Sequence, residues 1–147
     1  MPTRTHSAPI KRGPVILCSG AFDGLHAGHV AYLKAAREVP GPGEPQHALW
    51  VAVAPDAYIV QVKHRQPYWS QADRVRTIEA LAVVDRVVTQ RELSVARVIR
   101  EMRPAYFVKG IDWTDRLPRD VQSACADVKC LMVYVDTPGR HVAEARR

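Results

Sequence analysis

The chain has 147 residues, of which 47% are hydrophobic and 24% charged, with 21 Lys and Arg against 15 Asp and Glu. This balance is typical of one soluble globular domain and excludes disordered, collagen-like and repeat chains. No apolar run approaches the roughly 20 residues of a membrane span, and the polar start lacks a signal-like hydrophobic segment. The three dispersed cysteines form neither a disulfide framework nor a paired metal knuckle, so we expect a cytoplasmic protein with no membrane partner.

The formal net charge of +6 suits a polyanionic partner such as a nucleotide or a nucleic acid. Part of this charge lies at the ends of the chain, where basic residues are more often solvated than used as binding arms. Residues 1–13 are therefore predicted to be a flexible basic tail, and residues 14–147 a single domain.

Short apolar runs alternate along the chain with segments of helical periodicity. Strands are predicted over residues 15–17, 49–53, 86–88, 105–108 and 130–135. Helices are predicted over residues 27–39, from Ser70 or Gln71 onward, over 93–102 and over 117–126, whereas residues 55–69 are predicted to be irregular. This alternation predicts an α/β fold, a Rossmann-like parallel sheet of about five strands with helices on both faces. Such sheets bind ligands beyond the carboxyl ends of their strands.

The segment after the first predicted strand, Gly20 to His29, combines glycines with two histidines. The glycines allow a ligand to approach the backbone closely, and His26 and His29, three residues apart, share a face of a helical turn. With the free N–H groups of a helix start, they favour a phosphate cradle. The alternatives are two solvated histidines, or a metal pair that lacks an obvious third ligand. The spacing fits neither a Walker loop nor a dinucleotide fingerprint.

Residues 20–29, GAFDGLHAGH, resemble the GxFDxxHxGH signature of the cytidylyltransferase-like nucleotidyltransferases. That family includes glycerol-3-phosphate cytidylyltransferase and the nucleotidyltransferase domain of heptose-phosphate adenylyltransferases. The resemblance continues through Lys63, residues 74–81, the VDRVV of residues 84–88 and the VKGIDW of residues 108–113. The order and approximate spacing agree from about residue 14 to residue 135.

The resemblance implies a nucleotidyltransferase that moves CMP or AMP from CTP or ATP to a small phosphorylated alcohol or sugar and releases pyrophosphate. It implies Mg²⁺ as cofactor, with no metal ligand assigned to a side chain. The catalytic residues would be His26, His29 and Lys63, and the substrate-binding residues Lys63 and Arg74. The nucleotide-binding residues would be Gly20, Ala21, Phe22, Asp23, Gly28, Arg65, Gly110, Asp112 and Thr137.

Several of these residues have a second interpretation. Lys63 is either a phosphate contact or a solvated loop lysine, and Arg74 either meets an anionic ligand or pairs with Asp85. Asp23 is expected to fix the phosphate loop or to organise the metal region rather than to act as a base. Trp113 either packs on a base or covers the core.

The end of the chain departs from the family pattern, which has a Ser- and Thr-rich turn after the last strand. Here Thr137 is the only hydroxyl residue of the final segment, in which Arg140 or His141 either replaces the lost contacts or leaves a degraded corner. This favours, as an alternative, a catalytically impaired nucleotide-binding or regulatory module of the same fold. A nucleic-acid binder is a third reading, which the 7% aromatic content disfavours. A homodimer is plausible by resemblance.

Overall fold

A computed structural model describes residues 14–136, and these form a sheet with helices on both sides. The strands are β1 (Val15–Gly20), β2 (Ala48–Val53), β3 (Arg86–Thr89), β4 (Tyr106–Gly110) and β5 (Leu131–Val135). The helices are α1 (Ala27–Arg37), α2 (Asp56–Lys63), α3 (Gln71–Glu79), α4 (Ala96–Met102) and α5 (Arg119–Asp127). A single 3-10 turn, Ile111–Trp113, follows β4.

The sheet has the strand order β3-β2-β1-β4-β5, and every neighbouring pair is parallel. The predicted fold class is therefore confirmed. The chain places β2 and β3 on one side of β1, and then crosses to the other side to form β4 and β5. The topological switch point therefore lies between β1 and β4. Ligands of such sheets bind at this switch point, beyond the carboxyl ends of the strands.

Alternating residues of β1 enter two separate hydrophobic cores, as the two-residue period of a strand requires. Ile16 and Cys18 belong to the core that α1 and α3 cover. Leu17 belongs to the core that α4 and α5 cover on the opposite face of the sheet. Because both faces are covered, the central strands are mostly apolar, which is why their sequence shows no regular polar alternation.

The prediction that residues 55–69 are irregular is wrong for the first half of that segment, because α2 occupies Asp56–Lys63. Tyr58, Ile59 and the valines that follow have low helix propensity, so local sequence gives a weak helical signal. Burial of Ile59 provides the tertiary contact that stabilises the helix.

The helix predicted over residues 93–102 begins only at Ala96. The side-chain amide of Gln90 donates to the carbonyl oxygens of Glu92, at 2.8 Å, and Leu93, at 3.2 Å. These bonds hold the preceding residues in a loop, and Ser94 Oγ then accepts from the Ala96 amide at 3.1 Å. The other predicted helices and strands are present, with ends shifted by a few residues.

None of the helices in residues 14–136 has the length and apolar character needed to cross a membrane.

Candidate active site

The loop between β1 and α1 lies at the switch point of the sheet and is tightly shaped. Phe22 has a φ of 52°, in the left-handed region that non-glycine residues seldom adopt. Its ring lies against Gly20, where an added Cβ would come within 3.0 Å of the ring. A side chain at position 20 would therefore force the phenyl ring to shift. Strained backbone such as that of Phe22 often occurs at functional sites, which makes this loop a candidate.

His26 and His29 close the start of α1 by reciprocal hydrogen bonds. The Gly28 amide donates to Nδ1 of His26 at 3.0 Å, and the His26 amide donates to Nδ1 of His29 at 3.2 Å. Since both Nδ1 atoms accept, the proton of each neutral ring is on Nε2. The rings stack with centroids 3.9 Å apart, and Phe22 contacts the His29 ring edge-on at 5.2 Å. The helix start thus carries two fixed imidazoles whose Nε2–H groups are donors.

Asp23 links this loop to the segment before α3. One carboxylate oxygen accepts from Arg65 Nη1 at 2.7 Å and from the Tyr68 amide at 2.8 Å, and the other accepts from the Trp69 amide at 3.0 Å. Burial raises the pKa of Asp23, but these hydrogen bonds and the Arg65 charge outweigh it, so the pKa is below its ordinary value. The ionised carboxylate of Asp23 thus joins the β1 loop to the segment before α3, in agreement with the loop-fixing interpretation.

Arg74 is buried beneath the same loops, with 1% of its side chain exposed. Its Nη1 donates to the carbonyl oxygens of Ala21, at 2.8 Å, and Ala54, at 2.7 Å. Nε donates to the Trp69 carbonyl at 3.0 Å, and Nη2 donates to Asp56 at 2.6 Å. Arg74 thus forms an ion pair, which is one of its two predicted interpretations, but the partner is Asp56.

Asp85, the partner predicted for Arg74, instead pairs with Arg37 at 2.7 Å and accepts from the Leu49 amide at 2.8 Å. The pairing with Asp85 is therefore wrong. The prediction that Arg74 binds substrate finds no support in this geometry, because its donors already hold the backbone around the site.

Lys63 ends α2 in a cluster of charges. Partial burial lowers its pKa, the charges of Arg65 and Arg116 lower it further, and the carboxylates of Asp23 and Asp112 partly offset this effect. Charges from distant parts of the sequence therefore act on one ammonium group. An anion placed among these cations would relieve their mutual repulsion.

Lys109, next to the predicted Gly110, was not among the predicted site residues although it lies at the centre of the switch point. It is 8% exposed, and its ammonium donates to the Ser19 carbonyl at 3.0 Å and to Ser19 Oγ at 3.3 Å. The same ammonium lies 4.5 Å from the centre of the Trp113 ring. A lysine inside an apolar strand was the signal that could have identified it.

Trp113 packs against the core that α4 and α5 cover, which agrees with the core interpretation. It also forms a wall of a cavity of about 70 Å³ at the carboxyl ends of β1 and β4. We call this space the strand-end cavity. Its lining includes Ser19, Gly20, Tyr58, Leu93, Lys109 and Trp113.

The structure thus brings most of the predicted residues to one end of the sheet. Ala21 and Gly28 are buried, and they contribute a carbonyl and an amide to the bonds described above. Gly110 ends β4, and Asp112 follows it in the 3-10 turn. Thr137 lies outside the described residues.

Two further kinds of chemistry can be judged from the side chains. Within residues 14–136, no group of three or more His, Cys, Asp or Glu side chains is arranged to hold a metal ion. Burial raises the pKa of Cys18 to about 12, so this thiol stays protonated and does not serve as a nucleophile.

Comparison with known proteins agrees with this geometry. Residues 17–144 match the model of the Cytidylyltransferase-like family. The sequence is 41% identical over 104 residues to the bifunctional protein HldE of Streptomyces coelicolor, which covers 70% of this chain and 21% of that protein. It is 31% identical over 128 residues to the FAD synthase of Methanocorpusculum labreanum, covering 84% of this chain and 86% of that protein.

A similar fold is found in the crystal structure of the lipopolysaccharide core biosynthesis protein from Thermoplasma volcanium. The TM-score is 0.68 at 25% identity, over 84% of this chain and 97% of that one. The chain spans about a fifth of the length of the HldE protein and most of the length of the FAD synthase.

Proposed function

Because the chain belongs to the cytidylyltransferase-like family, we propose that it transfers CMP or AMP from CTP or ATP to a small phosphorylated acceptor. An oxygen of the acceptor's phosphate forms a bond to the α-phosphorus of the nucleotide. The bond from that phosphorus to the bridging oxygen breaks, and pyrophosphate leaves with the electron pair. The step needs no protein nucleophile, so the protein contributes positioning and charge stabilisation.

The observation that carries this proposal is the pair of imidazoles fixed at the start of α1. Their Nδ1 atoms accept from backbone amides, so the proton of each neutral ring is on Nε2. In this proposal the Nε2–H groups of His26 and His29 donate to phosphoryl oxygens. The positive end of the α1 dipole adds to this attraction. Donors that are oriented before the reaction stabilise developing charge without reorganisation.

The other predicted residues divide into two roles in this proposal. Lys63 contacts a phosphate of the acceptor or of the triphosphate, because several cations converge around it. Asp23, Arg65 and Arg74 hold the loops in place, with Arg65 still about a third exposed and so also available to an anion. Gly110 and Asp112 border the nucleotide at the end of β4.

In this proposal Mg²⁺ would be held chiefly by the triphosphate oxygens and water, because no cluster of three potential metal ligands is present in residues 14–136. Asp23, the carboxylate of the β1 loop, is already bonded to three donors and is therefore not expected to serve as a ligand. Mg²⁺ retains several waters when it accompanies phosphates. It would neutralise charge on the triphosphate.

The first experiment is thermal stabilisation of the full chain by Mg²⁺ with CTP and, separately, with ATP. A nucleotide at about 100 times its dissociation constant stabilises the folded state by about 2.7 kcal/mol. One relative is an FAD synthase, and FAD contains an adenine nucleotide, so ATP is the first donor to test. Stabilisation by one nucleotide identifies the donor, and the absence of stabilisation by either would contradict the proposal.

Pyrophosphate release then separates the enzyme from the impaired module, for which the missing hydroxyl residues of the final segment are the motivation. With the preferred nucleotide and a panel of phosphorylated alcohols and sugars, the enzyme releases pyrophosphate only when an acceptor is present. Tight nucleotide binding without release for any acceptor would favour the regulatory module instead.

A further inference from the structure

Resting on the proposed function, we propose that the strand-end cavity takes the body of the acceptor and that this body is a short apolar group, not a polyhydroxylated sugar. In the same proposal, Arg116 binds the acceptor's phosphate beside Lys63.

The lining of the strand-end cavity is mainly apolar and aromatic. One part of the lining is formed by Phe107 and other residues of the core that α4 and α5 cover. The walls nearer the solvent are formed by Tyr58, Leu93 and Trp113, with 41% of Leu93 exposed. An apolar group that enters this space loses contact with water over the part that the lining covers, which favours binding in proportion to the area buried.

Four of the five polar side chains of the lining are engaged with the protein itself, and the fifth, Tyr58, carries a single hydroxyl. Ser19 Oγ accepts from Lys109, and Ser94 Oγ accepts from the Ala96 amide. The side-chain amide of Gln90 donates to two carbonyl oxygens of the following loop. A sugar that entered would bring several hydroxyls, and each would need partners that are already in use.

The size of the cavity sets an upper limit on the buried group. Its volume of about 70 Å³ is roughly half that of an engineered apolar cavity of about 150 Å³ that holds benzene. A body of about three or four carbon atoms therefore fits, whereas a sugar of six or seven carbons does not. Any larger part of an acceptor would lie outside the cavity.

Arg116 stands where the phosphate of such an acceptor would emerge. Its guanidinium carbon lies 5.3 Å from the centre of the Trp113 ring, one wall of the cavity. Its charge acts on Tyr58, another wall, and on the ammonium of Lys63. A planar guanidinium next to an ammonium is a favourable pair for a phosphomonoester, because the guanidinium binds two oxygens at once.

The test compares n-propyl phosphate with glycerol 3-phosphate, which has the same three-carbon skeleton and two more hydroxyls. Each is titrated calorimetrically into the full chain saturated with Mg²⁺ and the α,β-methylene analogue of whichever nucleotide stabilises it. We expect propyl phosphate to bind at least about tenfold more tightly, as apolar pockets discriminate against added hydroxyls. Equal or tighter binding of glycerol 3-phosphate would overturn the inference.

Arg116→Gln should weaken propyl phosphate binding about tenfold while the stabilisation by nucleotide stays unchanged. The matched control is Arg103→Gln, an exposed arginine that precedes β4 at the opposite end of the sheet, which should change neither. An equal loss in both variants, or none in Arg116→Gln, would overturn the role of Arg116.

The failures of the two proposals are distinguishable. If the nucleotide stabilises the protein and neither alkyl phosphate nor glycerol 3-phosphate binds, the acceptor inference fails and the proposed function stands. If no nucleotide stabilises the protein, the proposed function fails, and this inference fails with it.

Discussion

Two groups of cations lie close to each other at the carboxyl end of the sheet, and they differ in what surrounds them. Arg74 is almost entirely buried, and three carbonyl oxygens and a carboxylate accept its hydrogen bonds. Lys63 and Arg116 are exposed and lie near other positive charges. The difference assigns Arg74 to the scaffold, because its donors are bonded to the protein. Under the proposed function, Lys63 and Arg116 are the cations left to contact an anionic ligand.

The scaffold side of this comparison is tested most severely by Arg74→Ala. It leaves the buried carbonyl oxygens of Ala21 and Ala54 without their donor, so we expect the free energy of unfolding to fall by about 3 kcal/mol. Urea denaturation measures the change. Arg76→Ala, on the same helix with 78% of its side chain exposed, is the control and should change stability by no more than about 0.5 kcal/mol. Equal effects in the two variants would contradict the scaffold role.

Both roles meet in the histidine pair, because each ring caps the helix with Nδ1 and, under the proposed function, donates to the ligand through Nε2. His26→Asn keeps a good capping residue but removes the Nε2–H donor, whereas His26→Ala removes both. We expect kcat to fall about 100- to 1000-fold in both variants, and stability to fall by about 1 kcal/mol only in His26→Ala. Pyrophosphate release and thermal denaturation measure the two effects. Full activity of His26→Asn would show that the imidazole is only a cap.

The pH dependence of stability tests the scaffold role of Asp23. The pKa of Asp23 is below its ordinary value of 3.8, so its stabilising contribution is fully present above that value and is lost as the pH falls through the lowered pKa. Asp23→Asn should therefore lower the free energy of unfolding by about 1–2 kcal/mol at neutral pH, and this difference should shrink in strong acid. Asp73→Asn, at an exposed position in the first turn of α3, is the control and should change stability at neutral pH by no more than about 0.5 kcal/mol.

The ligand side is tested by Lys63, with the smallest expected effect. Its lowered pKa means that the ammonium loses its proton at a lower pH than an ordinary lysine. We expect kcat/KM to decline on the alkaline side as this charge is lost, and Lys63→Arg, which stays charged, to remove that decline. Lys63→Gln should lower kcat/KM about tenfold at neutral pH. An unchanged alkaline limb in Lys63→Arg would assign the titration to another group.

Local signals were sufficient for much of the fold and for the centre of the site. The glycines and histidines of residues 20–29 are near neighbours in sequence, so their shared helix start could be predicted from spacing alone. The five strands were predicted because buried parallel strands are continuous apolar runs. The Cys18 and Leu17 faces of β1, by contrast, became distinct only when the helices were in place.

The errors and omissions involve contacts between distant parts of the chain. Arg74 pairs with Asp56, 18 residues away, and nothing in the sequence distinguishes this carboxylate from Asp85. Lys109 was not among the predicted site residues, and its bond to Ser19, 90 residues earlier, exists only in the folded chain. The contact of Arg116 with the Trp113 ring likewise depends on the tertiary structure. Local propensity does not encode such pairings, whereas the tertiary structure fixes them.

The reciprocal cap at the start of α1 shows why few of the twenty amino acids could perform both proposed roles of His26, helix capping and hydrogen-bond donation. Asparagine, aspartate, serine and threonine close a helix as well, but the atoms that they offer lie at one end of a short side chain. An imidazole carries its acceptor and its donor on different edges of one rigid ring. Another capping residue at position 26 would still close the helix, but it would lack the Nε2–H donor on the side away from the backbone.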